Sequence, residues 1–508
     1  MGIIKRQSLK TSIVNYFGVL IGVIFMVFIF PHLINADYLG LIILLQNLTY
    51  MLVPLPTLGL SFVLLRFYSS WKNSEMTSHF NSFSLLLMAI ALTFFAIAFY
   101  LLRDLAIDNY KERSPLFIPY YFLVIPLVII QSYSQYIETY ATAKLRVAVP
   151  AFLREIVTRI LLITLVFLFA CDMLTVNQFY YGFVIVYLLA FLILVFYSIR
   201  KLHFRASNAQ LFVRNKSYHA QLKYAGGMLL LLLFTNVANF VDGIFLSAYL
   251  GLGALGIYAR PLLLGQMIQV PYRAISLISI PIIREAIVDN NITKVRELNA
   301  SISINLLFIG CFLFSLLISN VDNIFSLFPA EYVIAKDVLY IIALGRLFDM
   351  AFGLNSEILN YSKYYKALVL FSSIMMCITI LGNAFLIPHF GLNGAAAAVT
   401  ISLVIFNLMK TWLIWKKFRF HCFSKHYVTL ILLSLSTIGI LHFIPTFQFI
   451  HHHMFLNSLI NIAFKSTIVA ILFITPAYLL NISPDFNDFV KLIVTGKILK
   501  GGHKMEHL

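Results

Sequence analysis

Apolar runs of about twenty residues recur along the whole chain, and each can cross the roughly 30 Å hydrocarbon core of a bilayer as an α-helix. Helices in the cores of soluble proteins are shorter and carry polar residues along one face. Of the 508 residues, 61% are hydrophobic and only 11% are charged, a composition that excludes a water-soluble globular protein. The sequence therefore predicts an all-α integral membrane protein.

We predict about fourteen membrane-spanning helices, because that number of apolar runs is separated by short polar connections. Their approximate limits are 11–34, 40–65, 81–102, 116–138, 152–171, 178–199, 221–249, 255–283, 301–320, 333–358, 366–388, 393–415, 427–446 and 456–480. The fifth run is the least regular, since Arg154, Glu155 and Arg159 lie in its first turns. Their long side chains can reach the headgroups from there. The first run lacks a small-residue cleavage site and is too long for a signal peptide, so we expect it to be retained.

The basic residues predict the orientation of these helices. Most of the 37 Lys and Arg residues fall in the N-terminal tail, in alternate connections and in the C-terminal tail, whereas the intervening connections hold Arg103, Lys111, Arg113 and Lys336. Because Lys and Arg accumulate on the cytoplasmic side, both termini are predicted to be cytoplasmic. The net charge of +17 then reflects topology and attraction to anionic membrane lipids, and it does not call for nucleic acid as a partner.

A long basic connection divides the predicted helices into two sets of six. The predicted organisation is an N-terminal six-helix bundle at 1–200, a cytoplasmic linker at 201–220, a C-terminal six-helix bundle at 221–418, and two further helices with a cytoplasmic tail at 419–508. Tyr38-Leu39-Gly40-Leu41 between spans one and two recurs as Tyr249-Leu250-Gly251-Leu252 between spans seven and eight. Such an offset predicts two pseudo-symmetric bundles related by an axis along the membrane normal, with a substrate cavity between them.

Ionisable residues inside the spans are the candidate functional residues, because each costs about 2.5 to 3.5 kcal/mol at mid-bilayer. They are Asp242 in span seven, Arg260 and Arg273 in span eight, Arg346, Asp349 and Glu357 in span ten, and Lys465 in span fourteen. We interpret the four bases as candidate ligands of a diphosphate, which favours Arg for its bidentate geometry. The three acids are candidates for gating or for coupling to an ion.

Structural pairing is the alternative for several of these residues. Arg346 and Asp349 are three residues apart and could neutralise each other on one helix face. Asp242 and Arg260 lie on either side of a short hairpin, where a structural clamp competes with a gate. Arg273 has no local partner in the sequence, and Pro261 and Pro271 bracket it. Since prolines free backbone groups that line cavities in membrane proteins, Arg273 is the principal ligand candidate, while Lys465 could bind ligand or pair with an acid.

Sugars would require polar side chains and aromatic faces, and the spans supply both. The polar or aromatic candidates are Gln46, Asn47, Tyr50, Gln131, Tyr133, Gln135, Asn236, Asn239, Gln266, Gln269 and Asn355. Single residues of this kind more often join helices by hydrogen bonds.

No signature of catalysis, metal binding or a cofactor is present in the sequence. Cys171, Cys311, Cys377 and Cys422 are scattered without a paired motif, so neither a disulfide framework nor a zinc site is indicated. His451, His452 and His453 form a short tract in one connection, but three adjacent histidines are not a preorganised metal site. We therefore predict a protein that is not an enzyme and that uses no cofactor.

Three stretches of the chain resemble a known family. They are Asn15-Tyr16-Phe17-Gly18 through Pro31, Asp37-Tyr38-Leu39-Gly40-Leu41, Leu58-Gly59-Leu60 and Arg66; then Asp242-Gly243-Ile244-Phe245-Leu246, Leu250-Gly251, Gly256-Ile257-Tyr258 and Pro281; and last Pro388-His389-Phe390-Gly391-Leu392-Asn393-Gly394-Ala395-Ala396-Ala397. In order and spacing they resemble the polysaccharide transporters, the Wzx-type O-antigen flippases of the multidrug/oligosaccharidyl-lipid/polysaccharide (MOP) superfamily. The first span lacks the central charged cluster that the related lipid II flippases carry.

The resemblance implies a MATE/MOP-like fold in the bacterial inner membrane. It further implies that the substrate is an undecaprenyl-diphosphate-linked oligosaccharide, a unit of O-antigen, capsule or exopolysaccharide, carried from the cytoplasmic to the periplasmic leaflet by alternating access. Other polysaccharide assembly proteins are implied as partners. Two alternatives stay open at this point, namely a cation-coupled drug or metabolite exporter of the same superfamily and a membrane glycosyltransferase or polymerase. A membrane glycosyltransferase or a polymerase would be expected to carry a large outside loop. The short outside connections therefore disfavour both of these enzymes.

Overall fold

The protein is all-helical in the computed structural model, which describes residues 14, 17, 18, 20–71, 75–214, 218–447, 454–482, 486 and 487. The α-helices are α1 (Phe30–Leu33), α2 (Ala36–Leu52), α3 (Pro54–Thr57), α4 (Leu60–Trp71), α5 (Met76–Leu101), α6 (Arg103–Tyr110), α7 (Val124–Ala143), α8 (Ala148–Phe152), α9 (Thr158–Ala170), α10 (Val176–Leu202), α11 (Ala209–Val213), α12 (Tyr218–Tyr249), α13 (Leu252–Gln266), α14 (Val270–Val288), α15 (Ile292–Ser319), α16 (Val321–Phe325), α17 (Lys336–Met350), α18 (Asn355–Tyr361), α19 (Tyr365–Phe418), α20 (Lys425–His442) and α21 (Met454–Leu479). The predicted all-α membrane fold is confirmed. The histidine tract at 451–453 and the basic residues of both tails lie outside the described residues.

Within those residues, nine helical segments are long and apolar enough to cross a bilayer. They are Ala36–Thr57, Met76–Leu101, Pro115–Ala143, Val176–Leu202, Tyr218–Tyr249, Ile292–Ser319, Tyr365–Phe418, Lys425–His442 and Met454–Leu479. Eight of them each coincide with one predicted apolar run, and Tyr365–Phe418 covers two, 366–388 and 393–415. The apolar helix Leu20–Leu33, within the first predicted span, is shorter.

The predicted spans five, eight and ten contain breaks in the α-helix. Span five begins as a π-helix over Leu153–Val157, and span eight is interrupted by a 3-10 turn over Met267–Gln269. Span ten contains a 3-10 segment over Ala330–Ala335 and a turn between α17 and α18. Charged or proline residues lie at or beside each break, and such residues disturb the regular backbone hydrogen bonds of a helix.

Helix α19 is a hairpin of two helices. Its 54 residues would extend about 80 Å if straight, far more than a bilayer requires. Gly391 breaks the helical conformation with φ 56° and ψ −132°, a region that favours glycine. The arms approach closely, since a Cβ on Gly394 would lie 2.1 Å from the Leu386 carbonyl oxygen. The predicted turn between spans eleven and twelve therefore lies at Gly391.

The chain divides into two compact units. The first consists of residues up to Leu263 together with Val369–Ser402, and the second consists of Leu264–Leu368 and Leu403 onwards. The two pseudo-symmetric six-helix bundles at 1–200 and 221–418 stay a prediction.

An aromatic cluster forms part of the core of the first unit. Trp71 packs against Phe80 and Phe212, with ring centroids 5.1 and 6.1 Å apart. Tyr136 is fully buried in the same cluster and donates its hydroxyl hydrogen to Asn81 Oδ1 at 3.0 Å. This cluster therefore joins α4, α5, α7 and α11.

In the second unit, α15 packs against α20 and α21. Phe308 and Cys311 of α15 are buried with Tyr427 and Phe473. The Tyr427 hydroxyl donates to the Ala351 carbonyl oxygen at 2.8 Å, which ties α20 to the turn after α17. The last two helices are thus packed into the core of this unit.

Glycines allow very close backbone packing between α2 and α13 in the first unit. A Cβ on Gly40 would lie 1.9 Å from the Leu252 carbonyl oxygen, and one on Gly256 would lie 2.2 Å from the Ala36 carbonyl oxygen. Real Cβ atoms do not approach so closely. The two copies of the Tyr-Leu-Gly-Leu motif therefore belong to segments that pack together.

We predict that Gly256→Ala lowers stability by about 1 to 3 kcal/mol, because the added methyl group must displace the α2 backbone. The measurement is the apparent melting temperature of the detergent-solubilised protein, followed by size-exclusion chromatography. Gly226→Ala is the matched control, since a Cβ at that helical position would meet no atom within 4 Å. Equal melting temperatures for the two variants would contradict the close contact.

Candidate functional site

The second unit holds a buried polar network that joins α14, α17, α18 and the C-terminal arm of α19. Three of the predicted candidates, Arg346, Asp349 and Glu357, belong to it, together with Lys410, which lies near the end of the predicted span 393–415 and was not among the candidates. Two breaks position these groups: the 3-10 turn Met267–Gln269 ends at Gln269, and the turn after α17 separates Asp349 from Glu357.

Gln269 lies between Arg346 and Asp349. Arg346 Nη1 donates to Gln269 Oε1 at 3.2 Å, and Gln269 Nε2 donates to Asp349 Oδ2. The base and the acid expected to pair along one helix face are thus joined through an amide from another helix. This arrangement fixes the orientation of the Gln269 amide, because only its oxygen can accept from a guanidinium.

The second oxygen of Asp349 is bound by an amide from α19. Asn407, which is only 1% exposed, donates from Nδ2 to Asp349 Oδ1 at 2.7 Å. The same amide nitrogen donates to the Leu403 carbonyl oxygen at 3.0 Å. Both carboxylate oxygens of Asp349 therefore accept a hydrogen bond from a neutral amide.

Glu357 and Lys410 form the other half of the network. The Tyr272 hydroxyl lies 2.8 and 3.0 Å from the two carboxylate oxygens of Glu357. Lys410 is 4% exposed, and its Nζ donates to Ser356 Oγ at 2.8 Å and lies 4.2 Å from the centroid of the Phe406 ring. Asp349 and Glu357 both interact electrostatically with Lys410. The apolar residues on both sides of Lys410 were the sequence signal that it belongs inside a helix.

The network contains two bases and two acids, so its formal charge is balanced. A balanced set can persist in a low-dielectric environment, whereas the loss of one member leaves a buried charge uncompensated. Neutralising either acid would leave the set net positive.

The other predicted residues lie elsewhere. Asp242 is buried in the first unit and accepts hydrogen bonds from the Tyr258 hydroxyl at 3.1 Å and from the Gly243 backbone at 2.8 Å. Arg260 is buried on α13 and Lys465 on α21, whereas Arg273 is exposed on α14. Within the described residues, neither Arg273 nor Lys465 has a hydrogen bond or ion pair to the network of the second unit. That part of the chain also holds no cluster of His, Cys, Asp or Glu suited to a metal ion.

We predict that Asp349→Asn destabilises the protein by about 1 to 3 kcal/mol, the cost of a buried hydrogen-bonding mismatch. The new amide NH2 would face an NH2 group of Gln269 or of Asn407, and Gln269 cannot rotate without losing Arg346. Thermal unfolding in detergent measures the effect. Asp322→Asn is the control, because Asp322 pairs with Lys336 but its side chain is 77% exposed; a loss as large in that variant would contradict the argument.

Comparison with known proteins places the chain in context. Residues 4–287 match the polysaccharide biosynthesis protein family, while no curated protein sequence gives a match. Among solved structures the chain is similar to the lipid II flippase MurJ in an inward closed conformation, with 16% identity, a TM-score of 0.67, and coverage of 91% of this chain and 98% of that chain.

Two further structures show the same fold. One is a variant of the Vibrio cholerae MATE transporter VcmN, with 15% identity, a TM-score of 0.55, and coverage of 82% of this chain and 98% of that chain. The other is a MOP superfamily transporter from Pyrococcus furiosus, with 14% identity, a TM-score of 0.57, and coverage of 86% of this chain and 97% of that chain. The predicted MATE/MOP-like fold is confirmed.

Proposed function

The chain belongs to the polysaccharide biosynthesis protein family, and we propose that it carries a lipid-linked oligosaccharide from the cytoplasmic to the periplasmic leaflet of a bacterial inner membrane. The cargo we propose is undecaprenyl-diphosphate-linked, a unit of O-antigen, capsule or exopolysaccharide. Membrane lipids surround the protein, and other polysaccharide assembly proteins are its proposed partners. Both termini are proposed to be cytoplasmic.

The observation that carries the proposal is the buried charge network within the apolar helices of a polysaccharide biosynthesis protein. Four ionisable groups are retained there although each one is costly in a membrane. A protein that only anchors other components would gain nothing from them. A carrier that changes between two conformations can use such groups, because a proton can shift the balance between the two states.

For the diphosphate we retain Arg273 as the principal ligand. Its side chain is exposed and follows a 3-10 turn and Pro271. A guanidinium can bind two phosphate oxygens at once, and in a region of low dielectric it requires an anionic partner. Arg260, Arg346 and Lys465 are further candidates, of which Arg346 is already bound to Gln269.

For ion coupling we propose the acids of the buried network. Protonation of Asp349 or Glu357 would remove the negative charge that compensates Lys410 and Arg346, and this would favour a conformation in which those bases reach an anion or water. Asp242, bound to Tyr258, is the corresponding candidate in the first unit.

A cation-coupled exporter of drugs or metabolites is the second candidate function. It is supported by the likeness to MATE transporters and by the same buried acids. Such an exporter would leave polysaccharide synthesis unchanged when it is removed.

Depletion of the protein in cells that produce it separates these functions. We expect undecaprenyl-diphosphate-linked oligosaccharide to accumulate in the cytoplasmic leaflet, as judged by its protection in spheroplasts from an impermeant sugar-oxidising reagent. Normal export with altered glycan length would indicate a polymerase. Unchanged glycan would favour the small-molecule exporter.

We predict that Arg273→Ala fails to restore export in depleted cells while its abundance in the membrane equals that of the wild type. The physical reason is the loss of a bidentate phosphate ligand, and we expect export to fall at least tenfold. Export is measured as surface polysaccharide. Arg284→Ala is the matched control, since Arg284 is another exposed arginine of α14 near the predicted cytoplasmic end. Wild-type export by Arg273→Ala would remove this residue from the site.

A further inference from the structure

A cavity of about 360 Å³ lies inside the first unit, in a region where the candidate ionisable residues of the spans are absent. Its wall is formed by α2, α7, α9, α10, Met26 and the π-helical start of the fifth predicted span. The volume lies in the range of about 300 to 1,000 Å³ that is typical of small-molecule sites.

A chain of ion pairs lines one end of this cavity. Arg154 Nη1 lies 2.6 Å from Glu138 Oε2, and Arg154 Nε lies 3.0 Å from Glu155 Oε1. The other oxygen of Glu155 is 2.8 Å from Arg159 Nη2, and Arg159 Nη1 donates to the Gly18 carbonyl oxygen. The charged residues that made the fifth span irregular are thus paired within the protein. Two acids and two bases balance, so the cavity has no net charge with which to select a diphosphate or a cation.

Two glycines of the first predicted span, Gly18 and Gly22, leave room for these charged side chains. A Cβ on Gly18 would lie 2.7 Å from Glu155 Cβ, and one on Gly22 would lie 2.5 Å from Arg159 Nη1. Glycines spaced by four residues face the same side of a helix. Glu155 and Arg159 therefore pack directly against the backbone at Gly18 and Gly22, so the ion pairs are part of the packed interior of the first unit.

Neutral hydrogen-bonding groups line the rest of the cavity. Gln131 and Ser134 of α7 both line it, and neither side chain has a hydrogen-bond partner among the described residues. Ser134 is only 9% exposed. Tyr187 accepts a hydrogen bond from Gln46 Nε2 at 3.0 Å, and its hydroxyl is also hydrogen-bonded to Tyr50, which lines the same cavity. Buried polar groups of this kind require partners.

We propose that this cavity binds sugar rings of the transported oligosaccharide, a proposal that rests on the function proposed above. An uncharged ligand rich in hydroxyl groups can both donate to and accept from Gln131 and Ser134. It also matches the carboxylate and guanidinium edges of Glu138 and Arg154 without disturbing their charge balance. The Tyr50 ring, held by stacking on Phe240 at 5.6 Å, adds an aromatic surface for the C–H face of a sugar. The ion-paired end lies on the predicted cytoplasmic side, from which such a ligand would enter.

Binding to the purified full-length protein tests this site. The two probes are the lipid-linked oligosaccharide extracted from depleted cells and undecaprenyl diphosphate without sugar, each titrated in detergent and followed by native mass spectrometry. We expect the wild type to bind the glycosylated lipid more tightly. We expect Gln131→Met combined with Ser134→Ala to lose about tenfold in affinity for the glycosylated lipid, as two hydrogen bonds would give. Its affinity for undecaprenyl diphosphate should stay unchanged.

The unchanged affinity for the sugar-free lipid shows that the variant is folded, and Gln135→Met is the matched control on the same helix because Gln135 does not line the cavity. If the double variant does not fold, Gln131→Met alone is measured and should lose about threefold. Equal binding of both lipids by the wild type, an unchanged variant, or an equal loss for both lipids would overturn the sugar site. A wild type that binds neither lipid would overturn the proposed function itself.

Discussion

The need to satisfy every backbone hydrogen bond within the chain is the constraint on which this structure depends. In hydrocarbon no water can replace a missing partner, so a spanning segment must be helical. A break in a helix is stable only where side chains or neighbouring helices compensate. The breaks therefore organise the polar groups: Gln269 ends a 3-10 turn beside the network of the second unit, and Arg154 and Glu155 belong to the π-helix that borders the cavity of the first unit.

Charge balance is the second feature shared by the two polar regions. Arg346 and Lys410 accompany Asp349 and Glu357 in one unit, and the cavity of the other is lined by two acids and two bases. The two sets differ in how they are bound. Asp349 is held by neutral amides, whereas Glu138 and Glu155 are held directly by guanidinium groups. The acid of the second unit is therefore bound by uncharged donors, and the acids of the first unit are bound by charged ones.

Much of the fold could be predicted from the long apolar runs and the short polar connections between them. The long apolar runs coincide with helices. The turn at Gly391 falls in the predicted connection between the runs 366–388 and 393–415. The contacts of the site could not be predicted, because they join helices far apart in the sequence. Gln269 and Asp349 are 80 residues apart, and Arg154 and Glu138 are 16 residues apart across a turn. Lys410 was not among the candidates because a basic residue near the end of a run is usually a topology signal, whereas here the helix continues to Phe418.

A carrier must release its cargo, and this sets a limit on how strongly any one subsite can bind. A ligand held equally tightly in both conformations shifts no equilibrium, and a salt bridge to a buried base would be slow to break. Hydrogen bonds from neutral side chains contribute only about 0.5 to 1.5 kcal/mol each. A cavity whose charges are already paired, as those of Glu138, Arg154, Glu155 and Arg159 are, can offer several such bonds without trapping an anion. We therefore propose that this cavity recognises uncharged sugar groups reversibly, and that stronger electrostatic attraction for the diphosphate comes from the proposed ligand Arg273.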